Sequence, residues 1–266
     1  MLIFLKLGGS LITDKDQPHT PRPEIIDRLA AEIAQARQAD PGLQLLIGHG
    51  SGSFGHTPAK QYNTRQGVHS PQDWRGFVEV WHEARALNEI VLQALHQSGL
   101  PVLSFPPSAA ITTSRGTVQA WDITPIQSAL AAGIIPLVFG DVIFDAQQGG
   151  AILSTEELFF HLTPALLPQR ILIAGIETAV WQDFPVCTRR IETITPASYP
   201  ALSANILGSS SVDVTGGMLA KVKSMVDLVT QFPQLEVLIF SGRQPGQLLE
   251  ALQGRNPGTI ILNNNS

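Results

Sequence analysis

The sequence predicts an α/β fold with a parallel central sheet, and three observations support this prediction. Short apolar runs alternate with longer helical patterns along most of the chain, which is the rhythm of a parallel sheet. The first two apolar runs, residues 2–7 and 43–47, each end in glycines. The 266 residues are 44% hydrophobic and 15% charged, a composition typical of a globular protein that buries a substantial core.

The elements of the first half of the chain follow this alternation. Apolar runs predict strands at residues 2–7, 43–47, 101–105 and 134–139, and helical patterns predict helices at 24–39, 72–98 and 124–132. The second helix has apolar residues at three- and four-residue spacing, which predicts one apolar stripe. Residues 112–120 favour an exposed hairpin, and the runs 142–144 and 150–153 flank a Gln-Gln-Gly turn that indicates another.

The second half repeats the pattern after a soft boundary at residues 167–169. Helices are predicted at 155–162, 217–232 and 244–252, strands at 170–174, 236–240 and 259–262, and a loop-rich region at 185–200. We expect a single domain, residues 1–266, made of an acceptor-substrate lobe (1–167) and a nucleotide lobe (168–266). The two lobes are expected to share one continuous sheet.

Composition and charge exclude several classes of partner. The net charge of -5, without a basic stripe, argues against nucleic-acid binding. Cys187 is the single cysteine and therefore cannot form an intrachain disulfide. No stretch approaches the roughly 20 apolar residues that span a bilayer, and the apolar start is too short for the core of a signal peptide. We therefore expect no membrane insertion and a cytoplasmic location.

The segment Gly50–Gly55 matches the G-x-G-x-x-G pattern of dinucleotide-binding folds. That reading needs an acidic residue about 20 positions later, at the end of the next strand. Residues 56–72 are instead polar and strandless, and Asp73 opens a helix. A more general interpretation is that glycines at strand ends let backbone amides approach phosphate oxygens. Two such turns, at 8–9 and 50–52, could hold two phosphoryl groups.

Lysines are scarce, since the chain has five of them and no G-x-x-x-x-G-K-[ST] segment. Lys6 lies in an apolar strand, where burial is costly unless the ammonium group meets an anion. Lys221 lies four residues after Gly217, in the first turns of a helix. A lysine that reaches solvent is the alternative at both positions.

Four ordered motifs carry a resemblance to a known family. They are Lys6-Leu7-Gly8-Gly9-Ser10, His49-Gly50-Ser51-Gly52-Ser53-Phe54-Gly55-His56, Gly140-Asp141-Val142, and Asp213-Val214-Thr215-Gly216-Gly217-Met218 with Lys221. From Met1 to about Gly258 the chain resembles the amino acid kinase superfamily, and within it the isopentenyl phosphate kinases. The resemblance implies a three-layer αβα sandwich with a mainly parallel sheet, found as a homodimer. It also implies transfer of the γ-phosphoryl group of ATP to isopentenyl phosphate or dimethylallyl phosphate, with Mg²⁺ carried by the nucleotide and no dedicated protein metal site.

The same resemblance implies a role for each matching residue. Lys6 would stabilise the transition state, Lys15 and Lys221 would hold ATP phosphates, and His56 would donate a hydrogen bond to the acceptor phosphate. The expected catalytic residues are Lys6, Lys15, His56 and Glu156. The expected acceptor-binding residues are Gly50, Ser51, Gly52, Gly55, His56, Gly140 and Asp141. The expected nucleotide-binding residues are Lys6, Gly8, Gly9, Ser10, Lys15, Glu177, Asp213, Gly216, Gly217 and Lys221.

The chain departs from the family pattern at two places. Relatives carry Ser-Gly-Asp-Asp where this chain has Ser154-Thr155-Glu156-Glu157. Glu156 keeps the charge that orients the lysines, although an acid pair favoured by a helix amino end is an equal alternative. Relatives also carry a Thr-Asp-Val-Asp-Gly-Val-like nucleotide loop, whereas residues 174–179 here offer one carboxylate, that of Glu177. Base or ribose preference is therefore expected to differ.

Phe77 and Trp81 belong to the aromatic stripe of the long helix that follows His56. They are predicted either to be plain core residues or to line an apolar pocket that favours five-carbon acceptors. Two other functions stay open. One is a related kinase of a phosphonate, an amino acid or a nucleoside monophosphate. The other is a non-catalytic binding protein of the same fold, which the altered Glu156-Glu157 and Glu177 regions motivate and the retained Lys6, His56 and Lys221 oppose.

Overall fold

The computed structural model describes residues 1–203 and 217–263. Its strands are β1 (Leu2–Leu7), β2 (Gln44–His49), β3 (Val102–Ser104), β4 (Ile111–Ser114), β5 (Thr117–Trp121), β6 (Ile135–Phe139), β7 (Asp141–Asp145), β8 (Gly149–Leu153), β9 (Arg170–Gly175), β10 (Val180–Trp181), β11 (Arg190–Ile191), β12 (Thr193–Ile194), β13 (Glu236–Ser241) and β14 (Thr259–Ile261). Its helices are α1 (Gly9–Ile12), α2 (Pro23–Ala39), α3 (Gly52–Gln61), α4 (Pro71–Gln97), α5 (Thr124–Ala131), α6 (Thr155–Leu166), α7 (Tyr199–Ser203), α8 (Gly217–Gln231) and α9 (Gln247–Leu252).

Eight strands form one central sheet in the order β12-β14-β13-β9-β1-β2-β6-β3. The pairs are parallel except β13 with β14, which is antiparallel. The prediction of a mainly parallel sheet is confirmed, and strands from both halves of the chain share it. Its central strand β1 pairs with β2 on one side and with β9 on the other.

The sheet is covered by helices on both faces, because successive side chains of a strand point to opposite faces. In β1, Phe4 packs into a core with residues of α5, α6 and α8. Ile3 and Leu5, its neighbours in sequence, pack into a second core with residues of α2, α4 and α9. This is the three-layer αβα sandwich expected from the sequence. No helix in the described ranges has the length and apolarity that crossing a bilayer requires.

Most predicted elements are present, and the differences have local causes. The apolar pattern did not predict α1 and α3, because these helices begin at the two glycine turns and lack a long apolar stripe. Helix α6 extends past the predicted end at residue 162 to Leu166, with Pro164 inside its last turn. The region 185–200, predicted to be loop-rich, contains the two-residue strands β11 and β12. Helix α9 begins at residue 247 rather than 244.

Both predicted hairpins are present and join in a second sheet of order β5-β4-β7-β8. Asp145, which is 5% exposed, links their turns. Its carboxylate accepts a hydrogen bond from Thr113 Oγ1 at 2.8 Å. Burial works to raise the pKa of this carboxyl, but its hydrogen bonds outweigh burial and hold the pKa below its ordinary value. The amides that also donate to it are those of Arg115 (3.1 Å), Gly116 (2.8 Å), Gln147 (2.9 Å) and Gln148 (3.1 Å).

We expect Asp145→Ala to lower the free energy of unfolding by about 2 to 3 kcal/mol at pH 7, because it leaves several turn amides without an acceptor. The pKa is depressed in the folded state, so this contribution is complete above the ordinary aspartate pKa of about 3.9 and is lost as the pH falls toward the folded pKa. Urea unfolding of both proteins at pH 7 and at low pH measures the effect. The difference between them is expected to shrink in acid.

Asp122→Ala is the matched control for this prediction. Asp122 is exposed, and its carboxylate accepts one described backbone bond, from Thr124 N at 3.0 Å. We expect its loss to cost less than about 1 kcal/mol. Equal losses for the two variants would contradict the proposed role of Asp145 in the hairpin sheet.

Candidate functional site

A cleft of about 320 Å³ opens at the carboxyl ends of β1, β2 and β9, where parallel α/β sheets place their ligand sites. It is bounded by α3, by the hairpin β7–β8 and by the first turns of α6 and α8. Most residues predicted from the sequence meet here. Those that line the cleft are Lys6, Gly8, Gly9, Ser10, Lys15, Gly50, Ser51, Gly52, Gly55, His56, Gly140, Asp141, Glu156, Glu177 and Lys221.

The two glycine turns lie against each other at the floor of the cleft. A Cβ atom added to Gly9 would come within 2.5 Å of the Gly52 nitrogen, and one added to Gly50 would come within 3.0 Å of the Gly9 nitrogen. Gly52 also has a φ of +51°, a backbone conformation that glycine adopts without strain. Backbone contact this close requires glycine on both turns, because a side chain on either would collide with the other. The two glycine motifs therefore pack directly against each other.

The turns present backbone amides that have no partner in the described chain. Each turn leads into a helix, α1 or α3, whose first amides lack an intrahelical acceptor. Across the described residues, no hydrogen bond is donated by the amides of Gly9, Ser10, Ser51 or Gly52. Such amides can donate hydrogen bonds to phosphate oxygens.

Lys6, Glu156 and Lys221 form a charged group beside the glycine turns. Lys6 is 8% exposed, and its Nζ forms an ion pair with Glu156 Oε1. Lys221 Nζ lies 3.9 Å from the same oxygen. Burial works to raise the pKa of Glu156, but the two ammonium groups outweigh it and the pKa is lowered. Glu156 therefore carries a negative charge that holds two lysines, from β1 and α8, on one side of the cleft.

Asp141 opens β7 and lines the cleft while being 1% exposed. Burial raises the pKa of this carboxyl to about 6. Its oxygens accept hydrogen bonds from Ser108 N at 3.1 Å and Val142 N at 2.8 Å. The side chain thereby fixes the segment around Ser108 against the start of the hairpin.

The side of the cleft near His56 has an apolar wall made of Ala59, Val80 and Ile152. Phe77 and Trp81 are not among the residues that line the cleft. They pack in the cluster behind it, with Val80 and Ile152. Of the two alternatives predicted for Phe77 and Trp81, plain core residues fit the structure and pocket-lining residues do not. Val80 lies on the same helix, three residues after Phe77, and spacing alone does not single it out from its neighbours.

Two further cations line the cleft, Lys60 and Arg65, and sequence reasoning did not single them out. Arg65 Nη2 lies 3.6 Å from Glu157 Oε2. Glu157 also closes the capping box of α6 with Ser154. The two adjacent acids thus have different roles: Glu156 pairs with lysines in the cleft, and Glu157 caps the helix.

Fewer of the residues predicted to bind the nucleotide are found in the cleft. Glu177 lines the cleft. Gly217 begins α8 with a φ of +69° but does not line the cleft. Asp213 and Gly216 lie outside the described residues.

A comparison with protein families supports the same region of the chain as one unit. The sequence model of the amino acid kinase family matches residues 1–241. This range contains all of the residues that line the cleft. It also contains every strand of the central sheet except β14.

Curated relatives and solved structures agree in name. The chain is 32% identical, over 95% of its own length and 96% of the relative, to an isopentenyl phosphate kinase of Methanothermobacter thermautotrophicus. It is 28% identical to an isopentenyl phosphate kinase of Methanocaldococcus jannaschii, with 98% of both chains covered. An X-ray structure of isopentenyl phosphate kinase superimposes with a TM-score of 0.80 and 29% identity, covering 98% of this chain and 100% of the other.

Proposed function

Since this chain belongs to the amino acid kinase family, and within it to the isopentenyl phosphate kinases, we propose that it transfers the γ-phosphoryl group of ATP to isopentenyl phosphate. The observation that carries the proposal is the cleft itself. It places four lysines, a histidine and the amides of two glycine turns, which have no partner among the described residues, around one space with an apolar wall. The product is isopentenyl diphosphate.

The chemistry requires that an anionic acceptor approach an anionic donor. Two unit charges about 4 Å apart repel by roughly 4 kcal/mol at an effective dielectric constant near 20. Lys6 and Lys221 are both paired with Glu156 in the cleft, and they, with the amides of the glycine turns, would offset this repulsion. We propose that Lys6 contacts the transferred phosphoryl group and that Lys15 and Lys221 hold the nucleotide phosphates.

No general base is needed in this mechanism. A phosphate monoester oxygen is already a nucleophile near neutral pH, so catalysis can rest on positioning and charge stabilisation. His56 lies on α3 one turn after Gly52 and lines the cleft. We propose that it donates a hydrogen bond to the acceptor phosphate and aligns that oxygen with the γ-phosphorus.

Magnesium would be carried by the nucleotide. Within the described ranges, no group of three or more His, Cys, Asp or Glu side chains could hold a metal ion. Glu156, a cleft carboxylate, is already engaged by two lysines. The donor set of the described cleft therefore fits a metal bound mainly by phosphate oxygens, where Mg²⁺ would neutralise charge on the triphosphate.

We also propose dimethylallyl phosphate as an acceptor. It differs from isopentenyl phosphate in the position of one double bond, and an apolar wall discriminates weakly between ligands of such similar shape. Family membership further leads us to propose a homodimer in the cytoplasm, with the acceptor bound mainly by residues 1–167 and the nucleotide partly by residues 168–266.

The test is turnover of purified protein with Mg-ATP against a panel of acceptors. We expect ADP release with isopentenyl phosphate and dimethylallyl phosphate, and little with fosfomycin, acetylglutamate or UMP. Turnover with one of the last three alone would assign the chain to another acceptor. Absence of turnover with both isoprenoid phosphates would overturn the proposal.

Val80→Phe tests the acceptor side. Val80 is 3% exposed and lines the apolar wall, so a larger side chain fills space that the isoprenoid tail would occupy. We expect the KM for isopentenyl phosphate to rise at least about tenfold, which corresponds to losing the burial of about two methylene groups. The KM for ATP should change little.

Val78→Phe is the matched control on the same helix. Val78 is 57% exposed and does not line the cleft, so the same change there should leave both KM values unaltered. An unchanged acceptor KM in Val80→Phe would place the isoprenoid tail elsewhere.

Phe77→Ala, which removes support behind the wall, is expected to relax the preference for five-carbon acceptors.

A further inference from the structure

His49, the last residue of β2, has a buried ring that contacts the second glycine turn from below. The ring is 0% exposed and stacks on Phe139 with centroids 5.6 Å apart and planes at 9°. Its Nδ1 lies 3.1 Å from the carbonyl oxygen of Gly50. Its Nε2 lies 3.2 Å from Asn88 Oδ1 on α4. The amide of Asn88 in turn lies 2.9 Å from Ser104 Oγ at the end of β3.

The ring is neutral in this environment and has a single proton to donate. Burial lowers the pKa of His49 to about 4, and the nearby Lys6 adds to the effect, while hydrogen bonds to Gly50 and Asn88 oppose it. A carbonyl oxygen can only accept, whereas the Asn88 amide can turn over and present its NH₂ group instead. The arrangement that satisfies every group has Nδ1–H donating to Gly50, Asn88 donating to Nε2, and the Ser104 hydroxyl donating to Asn88.

Fixing the Gly50 carbonyl also fixes the next amide. In a trans peptide the C=O and N–H bonds point in opposite directions. The Gly50 carbonyl points to the buried ring, so the N–H of Ser51 points away from it, toward the cleft that Ser51 lines. Turning this peptide over would instead direct a carbonyl oxygen into the cleft, where it would repel a phosphate group.

The atoms on either side of this peptide are held by other groups. The Gly50 amide donates to Leu7 O at 3.1 Å. The His49 carbonyl accepts from Gly140 N at 3.1 Å and from Thr155 Oγ1 at 2.6 Å. Among the described residues, the Gly50 carbonyl itself has the His49 ring as its hydrogen-bond donor. The orientation of the Gly50–Ser51 peptide thus depends on the ring.

We propose that His49, held by Asn88 and Ser104, is a positioning residue that keeps the Ser51 N–H aimed at the phosphoryl group. The inference rests on the proposed kinase function. It assigns to the buried His49 a role distinct from that of His56, since His49 would act through the backbone and never touch substrate. Peptide orientation would then contribute a preorganised hydrogen-bond donor to the transition state.

Two amide substitutions distinguish the contributions of the two ring nitrogens, Nδ1 and Nε2, to the arrangement. His49→Asn keeps a donor at the position of Nδ1, next to the Gly50 carbonyl. His49→Gln reaches Asn88 but places no donor near Gly50. We expect kcat to fall less than about fivefold in His49→Asn and at least about 30-fold in His49→Gln, as for loss of one aligned transition-state donor. Both changes leave a cavity, so melting temperatures should fall similarly.

Crystal structures of the two variants supply a readout that does not depend on turnover. The Gly50 carbonyl should keep its orientation in His49→Asn and rotate in His49→Gln. Equal kcat values in the two variants, or an unrotated carbonyl in His49→Gln, would overturn the inference. Wild-type protein without kinase activity but with the rotation in His49→Gln would count against the proposed function alone.

Asn88→Leu provides a second route if the buried position accepts neither amide. It removes the partner of Nε2 with little change in volume and leaves the glycine turn unaltered. We expect at least about a fivefold drop in kcat with less than a twofold change in the KM for ATP, because one supporting hydrogen bond is lost. An unchanged kcat would show that the ring needs no support from α4.

Discussion

Replacing Lys6 by alanine is expected to lower kcat/KM for isopentenyl phosphate at least about 100-fold, equivalent to roughly 3 kcal/mol of transition-state stabilisation. Lys6 lies at the end of the central strand, beside both glycine turns and 8% exposed. Its ammonium group is held by Glu156 within the cleft. Charge that develops during transfer would meet a cation that is already in place. Steady-state kinetics with both substrates varied measures the effect.

Two controls separate lost chemistry from lost stability. Lys223→Ala removes an exposed lysine of α8 that pairs with Asp227 at 2.7 Å, and it should leave kcat/KM within about twofold because exposed pairs contribute little. A Lys6→Met, Glu156→Gln double variant removes both charges of the buried pair. We expect it to unfold close to the wild-type temperature yet stay at least about 100-fold slow. Activity within tenfold of wild type in either Lys6 variant would contradict the role.

The layer architecture was predictable because it is encoded in buried apolar runs. β1 is buried along all six residues, and such a run between helical patterns indicates a central parallel strand. The order of strands was not predictable in the same way. That β9, about 170 residues from the start, pairs with β1 depends on packing of distant segments. The family resemblance implied the three layers and the mainly parallel sheet, but the order of the strands came from the structure alone.

The part of the site formed by backbone amides was predictable from the sequence, and the part formed by side chains was less so. Glycine turns at strand ends indicate phosphate contact through amides, and the structure brings both turns together. The wall of the acceptor pocket depends on which face of α4 turns inward. Spacing alone does not distinguish Val80, in the cleft, from Phe77 and Trp81, one layer behind it.

The role of the buried His49 could not be read from sequence either. A histidine before a glycine turn is compatible with a ligand, a core residue or a surface residue. Its contacts with Asn88 and Ser104 join three separate elements, β2, α4 and β3. Hydrogen-bond networks of this kind depend on distances of a few tenths of an ångström, which no periodicity encodes.

Replacing His56 by alanine is expected to lower kcat/KM for isopentenyl phosphate at least about 100-fold, through loss of a charge-assisted contact with the acceptor phosphate worth roughly 3 kcal/mol. His56 projects from α3 one turn after Gly52, so the glycine turn that would hold one phosphate oxygen also places this ring. The loss should fall on the acceptor and leave the KM for ATP within about threefold, because the nucleotide phosphates would be held by other groups.

A graded series tests whether the hydrogen bond is the cause. His56→Gln keeps a donor of similar reach and should recover about tenfold of the lost activity, since one hydrogen bond to a charged group is worth about 1.5 kcal/mol or more. His96→Ala, at the exposed end of α4, should have no effect. Near-normal kcat/KM in His56→Ala would move the acceptor phosphate away from α3. The cations Lys60 and Arg65, which line the same cleft, would then be the first residues to substitute, because a phosphate still needs positive charge.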